Sequence, residues 1–279
     1  IGIIFLGIQL KPFEFLDFGK IAIPLIIICI ISVLIVIKFL IKKLKIPTRM
    51  AYLISIGSTV CGTTAIMATA PVIKANKNEV SYAIANITLF GILSMLLYPY
   101  FANFYFDNQP LLIGLFLGTS IHETSQVAAA GLIYEQQFNS PETLNIATVT
   151  KLIRNTFLIV MIPIFAFLYN RGKTNKKEYS ILNIFPYFVL GFIGMIIIRN
   201  IGDQVFISNS NYNWIETINI IKFLSKIFLT MAMAAIGLTT NLKDIKSMGY
   251  KPFIVGFIAM LTVGIVCIIT IESYLKFFI

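Results

Sequence analysis

The chain has 279 residues, 58% hydrophobic and only 12% charged, with a mean hydropathy of +0.88. Soluble domains carry roughly 25% charged residues, so a water-soluble globule is excluded, and the long apolar runs do not alternate as the ~10-residue strands of a β-barrel must. The net charge of +10 lies in short loops between apolar runs, the positive-inside pattern of a polytopic membrane protein rather than a nucleic-acid surface.

The chain opens on an apolar run, Ile1–Leu10, with no basic leader before it, so further helices are expected upstream. The loop Lys11–Lys20 follows, with Glu14 and Asp17. Ile21–Leu40 is long enough to cross the bilayer and stops at Lys38, Lys42, Lys43, Lys45 and Arg49, a cytoplasmic loop by its charge. Met50–Ile73, rich in glycine and hydroxyl residues, is closed by Pro71. Val80–Tyr98 is the next helix, closed by Pro99, and the loop Phe101–Gln109 has Asp107 as its one charge. Leu111–Ile133 and a polar loop, Tyr134–Thr148, come next. Val149–Tyr169 carries Lys151, Arg154 and Asn155 in its first turns, near the membrane face, and Pro163 as a kink. The basic loop Asn170–Glu178 is cytoplasmic. Ile181–Ile198, Ile218–Leu238 and Phe253–Ile271 complete the helices. The loop Gly202–Asn213, without Lys or Arg, is external, and the one with Lys243, Lys246 and Lys251 is cytoplasmic.

Two internal repeats stand out. Gly57–Ala70 (GSTVCGTTAIMATA) pairs without gaps with Gly118–Gly131 (GTSIHETSQVAAAG). Small and hydroxyl residues match throughout, while Cys61-Gly62 is replaced by His122-Glu123. A weaker repeat pairs residues 5–19 with 235–249, setting Glu14 against Asp244 on the opposite side of the membrane. Oppositely oriented repeats are the architecture of many secondary transporters. The expectation is one all-α membrane domain over residues 1–279, with two discontinuous or re-entrant elements, Met50–Ile73 and Leu111–Ile133. Each is long enough to span. Re-entry fits the charge rule better, since it keeps Lys74 and Lys77 inside and Asp107 outside.

His122 is the only histidine and stands beside Glu123 in an apolar region, where ionisable residues are costly and mark function. On a continuous helix Thr119, His122, Glu123 and Gln126 would share an arc of roughly 100°. A zinc protease would need a second histidine four residues on, and position 126 is Gln, so no metal site is expected. Lys151 and Arg154 share a helix face and could hold an anion, pair with Glu123 or snorkel to the interface. The hydroxyls of Ser58, Thr59, Thr63 and Thr64 could bind an anion beside freed backbone N–H groups or merely back-bond within a helix. Cys29 and Cys267 read as packing residues, and three scattered cysteines make no disulfide framework.

These blocks, GSTVCGTTAIMATAPVIKA (Gly57–Ala75), FGILSMLLYP (Phe90–Pro99), GTSIHETSQVAAAG, KLIR (Lys151–Arg154) and MAMAAIGLTTNL (Met231–Leu242), occur in the order found in the YeiH-type family of bacterial inner-membrane proteins, which the whole chain resembles. The resemblance implies a relative of the cation/proton antiporter and anion transporter group, with discontinuous elements crossing near the bilayer centre. It also implies sulfate export and a multi-pass location in the bacterial inner membrane. The expected function is export of a small anion, sulfate or a sulfonate-derived product, without enzymatic activity or cofactor. The expected substrate-binding set is Ser58, Thr59, Cys61, Gly62, Thr63, Thr64, Ser120, His122, Glu123, Gln126 and Arg154, with Arg154 as counter-charge, His122 and Glu123 as the proton-coupling pair, and Lys151 and Thr239 as secondary candidates. Expected partners are the anion and the lipid bilayer, with a homo-oligomer compatible and nucleic acid excluded. A cation/proton antiporter using His122 and Glu123 is the alternative, and an enzyme using Cys61 near His122 the third reading.

Overall fold

The computed structural model describes residues 2–9, 16–170, 188–207, 212–238 and 249–275, and every regular element among them is helical. α1 (Gly2–Leu6) tightens into a 3-10 turn (Gly7–Gln9) and is followed by α2 (Leu16–Leu44), α3 (Thr48–Thr59), α4 (Thr63–Thr69), α5 (Lys77–Phe106), α6 (Pro110–Ser120) and α7 (Thr124–Phe138). α8 (Pro141–Thr156), α9 (Leu158–Asn170), α10 (Phe188–Gly202), α11 (Tyr212–Leu238) and α12 (Lys251–Thr270) follow, with π-helical turns after α10 (Asp203–Ile207) and α12 (Ile271–Leu275). Among the described residues four stretches are long and apolar enough to cross a membrane: Gly19–Leu44, Lys77–Phe106, Pro141–Tyr169 and Lys251–Ser273. The protein is an all-α polytopic membrane protein.

α5 begins with a capping box, in which the Asn76 side chain accepts from the Glu79 N–H and the Glu79 side chain from that of Asn76. Pro99 lies inside this helix rather than closing it, and α5 continues to Phe106 before Asp107 turns left-handed (φ 46). A membrane helix tolerates an internal proline where its neighbours take up the freed backbone groups. α12 and the turn before it are tied to α5 by three hydrogen bonds: Tyr82 Oη to Gly249 O (2.8 Å), Asn86 Nδ2 to Pro252 O (2.8 Å) and Tyr98 Oη to Met260 O (3.2 Å).

α3 and α4 form one helical hairpin. Met50 and Ala51 near the start of α3 share an apolar cluster with Ala70 and Ile73 at the end of α4, together with Val80 and Ala83 from the first turns of α5. α6 and α7 form a second hairpin at the opposite end of α5. There Tyr134 Oη donates to Asn103 Oδ1 (2.7 Å), and the rings of Tyr100 and Phe138 lie 6.2 Å apart. α8 runs from the base of this second hairpin to its tip. Leu144 and Ile146 meet Gly131 and Gly114 at the base, and Asn155 reaches Thr124 at the tip.

Close approach along that seam depends on glycine. A Cβ on Gly114, Gly118 or Gly131 would stand 2.5 Å from Ile146 Cγ2, 2.5 Å from Ala147 O and 2.7 Å from Leu144 Cδ1. Small residues let membrane helices pack backbone to backbone. Gly118→Val is expected to destabilise the protein by about 1–3 kcal/mol, the usual scale of overpacking. Gly194→Ala, at a position with nothing within 4 Å, is the control. Thermal unfolding in detergent decides it, and equal midpoints for the two variants would sink the seam.

A second group is formed by α1, α10 and α11. Ser225 Oγ donates to Gly2 O (2.8 Å) and Arg199 to Ile8 O (3.3 Å), while Arg199 and Trp214 both bind Asp203 (2.7 and 2.9 Å). Phe192 and Ile196 of α10 pack on Leu152 and Ile159. The weaker repeat, 5–19 with 235–249, and Thr239 lie largely outside the described residues, since 10–15 and 239–248 are not among them.

Candidate functional site

Each hairpin is broken at its tip, and the tips meet. Between α3 and α4 the chain turns at Val60, Cys61 and Gly62. Gly62 adopts φ 64 and ψ −124, a conformation that glycine permits and a side chain resists. Between α6 and α7, Ile121 (φ −83, ψ 139) and Glu123 (φ −107, ψ 146) are extended on either side of His122. The Thr119, His122, Glu123 and Gln126 arc therefore does not exist as one helix face. Thr119 lies in the last turn of α6, His122 and Glu123 form the break, and Gln126 lies in the first turn of α7.

Helix C-termini leave carbonyls without intrahelical donors, and α3 and α6 both end here, in protein interior. Two cations of α8 meet that need. Lys151 Nζ donates to Val60 O (2.9 Å), Ile121 O (3.0 Å) and His122 O. Three acceptors are what an ammonium with three N–H groups requires. Arg154 donates through Nε to Thr59 O (3.0 Å), through Nη2 to Ser58 O (2.6 Å), and through Nη1 to Thr119 O and to Ile121 O (3.3 Å). Lys151 and Arg154 are 0% and 2% exposed, so neither snorkels. The expected position near the membrane face fails because α8 starts at Pro141, not Val149. That sets both cations about 12 Å further along the helix, at 1.5 Å per residue. The supposed loop 134–148 is almost wholly helix: α7 runs on to Phe138 and stops at left-handed Asn139 (φ 53).

Opposite charge gathers at the helix starts. Glu123 is the N-cap residue of α7, and its side chain lies over Gly62, the N-cap residue of α4; a Cβ on Gly62 would be 2.7 Å from Glu123 Cγ. Its Oε1 accepts from Thr88 Oγ1 at 3.5 Å. The charges thus complement the helix dipoles, cations at the C-terminal ends and the carboxylate at the N-terminal ends. Among the described residues no Lys or Arg forms an ion pair with Glu123, which stays half-buried.

The other expected site residues sort by their bonds. Thr59 Oγ1 back-bonds to Ser55 O (2.9 Å) and Ser120 Oγ to Phe116 O (2.6 Å), so these two hydroxyls are engaged within their own helices. Thr63 is buried and Thr64 half-buried in the first turn of α4, and Cys61 is buried and unpaired as a thiol. Gln126 donates to Thr88 O (3.3 Å), its amide filling the space left by Gly91. Several buried polar atoms have no hydrogen-bond partner among the described residues: Ser58 Oγ, Thr119 Oγ1, both ring nitrogens of His122, Gln126 Oε1 and Asn155 Oδ1. Such atoms cost stability unless something completes their hydrogen bonds, and here they concentrate at the crossing. Thr88, Thr119 and Asn155 were not in the expected set. Asn155 could have been found from its place one residue after Arg154; Thr88 gives no signal in sequence, because its role comes only from the packing of α5 against the tips.

A polytopic helical membrane protein with two broken helical hairpins whose tips share one charged crossing is thereby defined. The chain matches the family described as "Conserved hypothetical protein 698" over residues 1–256 and belongs to it. A UPF0324 membrane protein of Fusobacterium nucleatum subsp. nucleatum is 35% identical over 275 residues, 96% of this chain and 79% of that protein. One from Streptococcus agalactiae serotype V is 36% identical over 267 residues, with 95% and 77% covered. One from Clostridium tetani is 31% identical, also covering 95% and 77%. No solved structure gives a significant match.

Proposed function

We propose that the protein is a secondary transporter of the bacterial inner membrane, not an enzyme, and that it moves a small anion such as sulfate or a sulfonate-derived product. The observation that carries this reading is the crossing itself: two hairpin tips from opposite ends of α5 meet around buried polar atoms without partners, Ser58 Oγ, Thr119 Oγ1 and the His122 ring. Breaks in membrane-embedded helices concentrate ligand sites where freed backbone groups and dipole ends converge. In this reading the anion is held by hydroxyl and N–H donors at the tips. Lys151 and Arg154 set the electrostatic background, because nearly all their N–H groups are already given to carbonyls.

Exchange of labelled sulfate and methanesulfonate in proteoliposomes tests it. Ser58→Ala and His122→Ala are each expected to lower the rate by about tenfold or more, the effect of a lost hydrogen bond to a charged group. Unchanged exchange in both would remove these residues from the site, and no exchange of any small anion would remove the class. A cation/proton antiporter is favoured by one feature, the Glu123 carboxylate without a cationic partner among the described residues. Sodium-driven proton flux with no anion present would establish it instead.

A further inference from the structure

Resting on the transporter reading above, we infer that Ser58 and Thr119, equivalent residues of the two repeats, form a paired hydroxyl clamp for a small oxyanion beside Arg154. α8 holds the two tips alike. Arg154 gives Nη2 to Ser58 O and Nη1 to Thr119 O, which are equivalent carbonyls of Gly57–Ala70 and Gly118–Gly131. One turn earlier on α8, Lys151 gives Nζ to Val60 O and to Ile121 O, again an equivalent pair. The correspondence extends to the side chains. Buried hydroxyls in these helices back-bond by default, as those of Ser55, Ser94 and Thr150 do to the carbonyls four residues earlier. The second hydroxyl of each repeat does the same: Thr59 Oγ1 bonds to Ser55 O and Ser120 Oγ to Phe116 O. The first does not. Ser58 Oγ and Thr119 Oγ1 lie in the last turns of α3 and α6, are 0% exposed, and have no hydrogen-bond partner among the described residues.

An unmade hydrogen bond of this kind costs stability, and here it recurs at the same position of both repeats. Thr69 is the other unpartnered buried hydroxyl among the described residues, and its counterpart is Ala130, so it forms no pair. Ser58 and Thr119 both offer their carbonyls to one guanidinium, which places both hydroxyls within a residue of the same cation. A guanidinium has five N–H groups. Nε, both of Nη1 and one of Nη2 are taken by carbonyls, which leaves one Nη2 N–H, on the nitrogen that binds Ser58 O, for a ligand. The charge favours an anion. The carbonyl ends of α3 and α6 are offset by the N–H ends of α4 and α7, and Lys151 and Arg154 then stand against the single carboxylate of Glu123. Donors on two hairpins and on the guanidinium that joins them suit a ligand with several acceptor atoms. A sulfonate or sulfate offers an oxygen to each, and a halide has only one centre to share.

The test measures exchange of labelled methanesulfonate by the full-length protein in proteoliposomes. The half-saturating concentration is the readout, and thermal unfolding checks that each variant is folded. Ser58→Ala and Thr119→Val are each expected to raise that concentration by about tenfold, the effect of one lost hydrogen bond to a charged group, while Thr119→Ser keeps it. Thr59→Val and Ser120→Ala, which remove the back-bonded hydroxyls, should raise it far less. On the unaltered protein, unlabelled sulfate should compete with methanesulfonate and chloride should not, an arm that holds even where a variant does not fold. An unchanged half-saturating concentration in Ser58→Ala or in Thr119→Val would overturn the clamp and leave the transporter reading standing. So would an equal loss in Thr59→Val and Ser120→Ala, or competition by chloride as strong as by sulfate. Absence of exchange with methanesulfonate, sulfate and sulfite overturns the transporter reading, and the clamp with it.

Discussion

Arg154→Leu is expected to be the most damaging single substitution in the membrane core, lowering stability by about 3–5 kcal/mol, the scale for removing one side of a buried charged network. The leucine fills most of the volume but strands the carbonyls of Ser58, Thr59 and Thr119, which have no other side-chain donor; each orphaned buried acceptor costs about 1–3 kcal/mol before relaxation. Ile121 O is spared, since Lys151 also donates to it. Arg154→Lys keeps the charge but not the planar fork that reaches both hairpins at once, so it should recover part of the loss. Cys29, Cys61 and Cys267 are buried free thiols in the same cluster, and a thiol-reactive fluorophore followed through thermal unfolding reads the opening directly. A midpoint for Arg154→Leu equal to that of the unaltered protein would show that the guanidinium does not hold the tips together.

Gly62→Ala should be next in effect and different in kind. Its φ of 64 with ψ −124 lies where a Cβ is strained, about 1–3 kcal/mol for a held residue, and the new methyl would fall 2.7 Å from Glu123 Cγ. The backbone strain lowers stability, while the contact pushes the carboxylate off its seat over the start of α4. Transport should therefore suffer beyond the loss of folded protein. A double-mutant cycle with Glu123→Ala separates the two, because removing the side chain relieves the contact but not the strain. Additive effects on exchange would mean that Gly62 acts through backbone conformation alone and does not seat Glu123.

Composition and pattern alone determined that this is a helical membrane protein, because an apolar chain in lipid must satisfy its backbone within helices or a closed barrel. The pairing of Gly57–Ala70 with Gly118–Gly131 located both breaks, since runs of glycine and hydroxyl residues in an apolar helix signal positions where regular bonding can be abandoned. His122 and Glu123 were conspicuous for the same reason. Lys151 and Arg154 were visible as a shared face but assigned to the wrong depth. Start signals for α8, Ser140 followed by Pro141 at its first position, were hidden by a polar first turn that reads as loop in a membrane sequence. Only the tertiary structure decided that these two cations are held by seven carbonyl contacts across both hairpins. Their partners are main-chain oxygens, which every residue possesses and no sequence pattern marks.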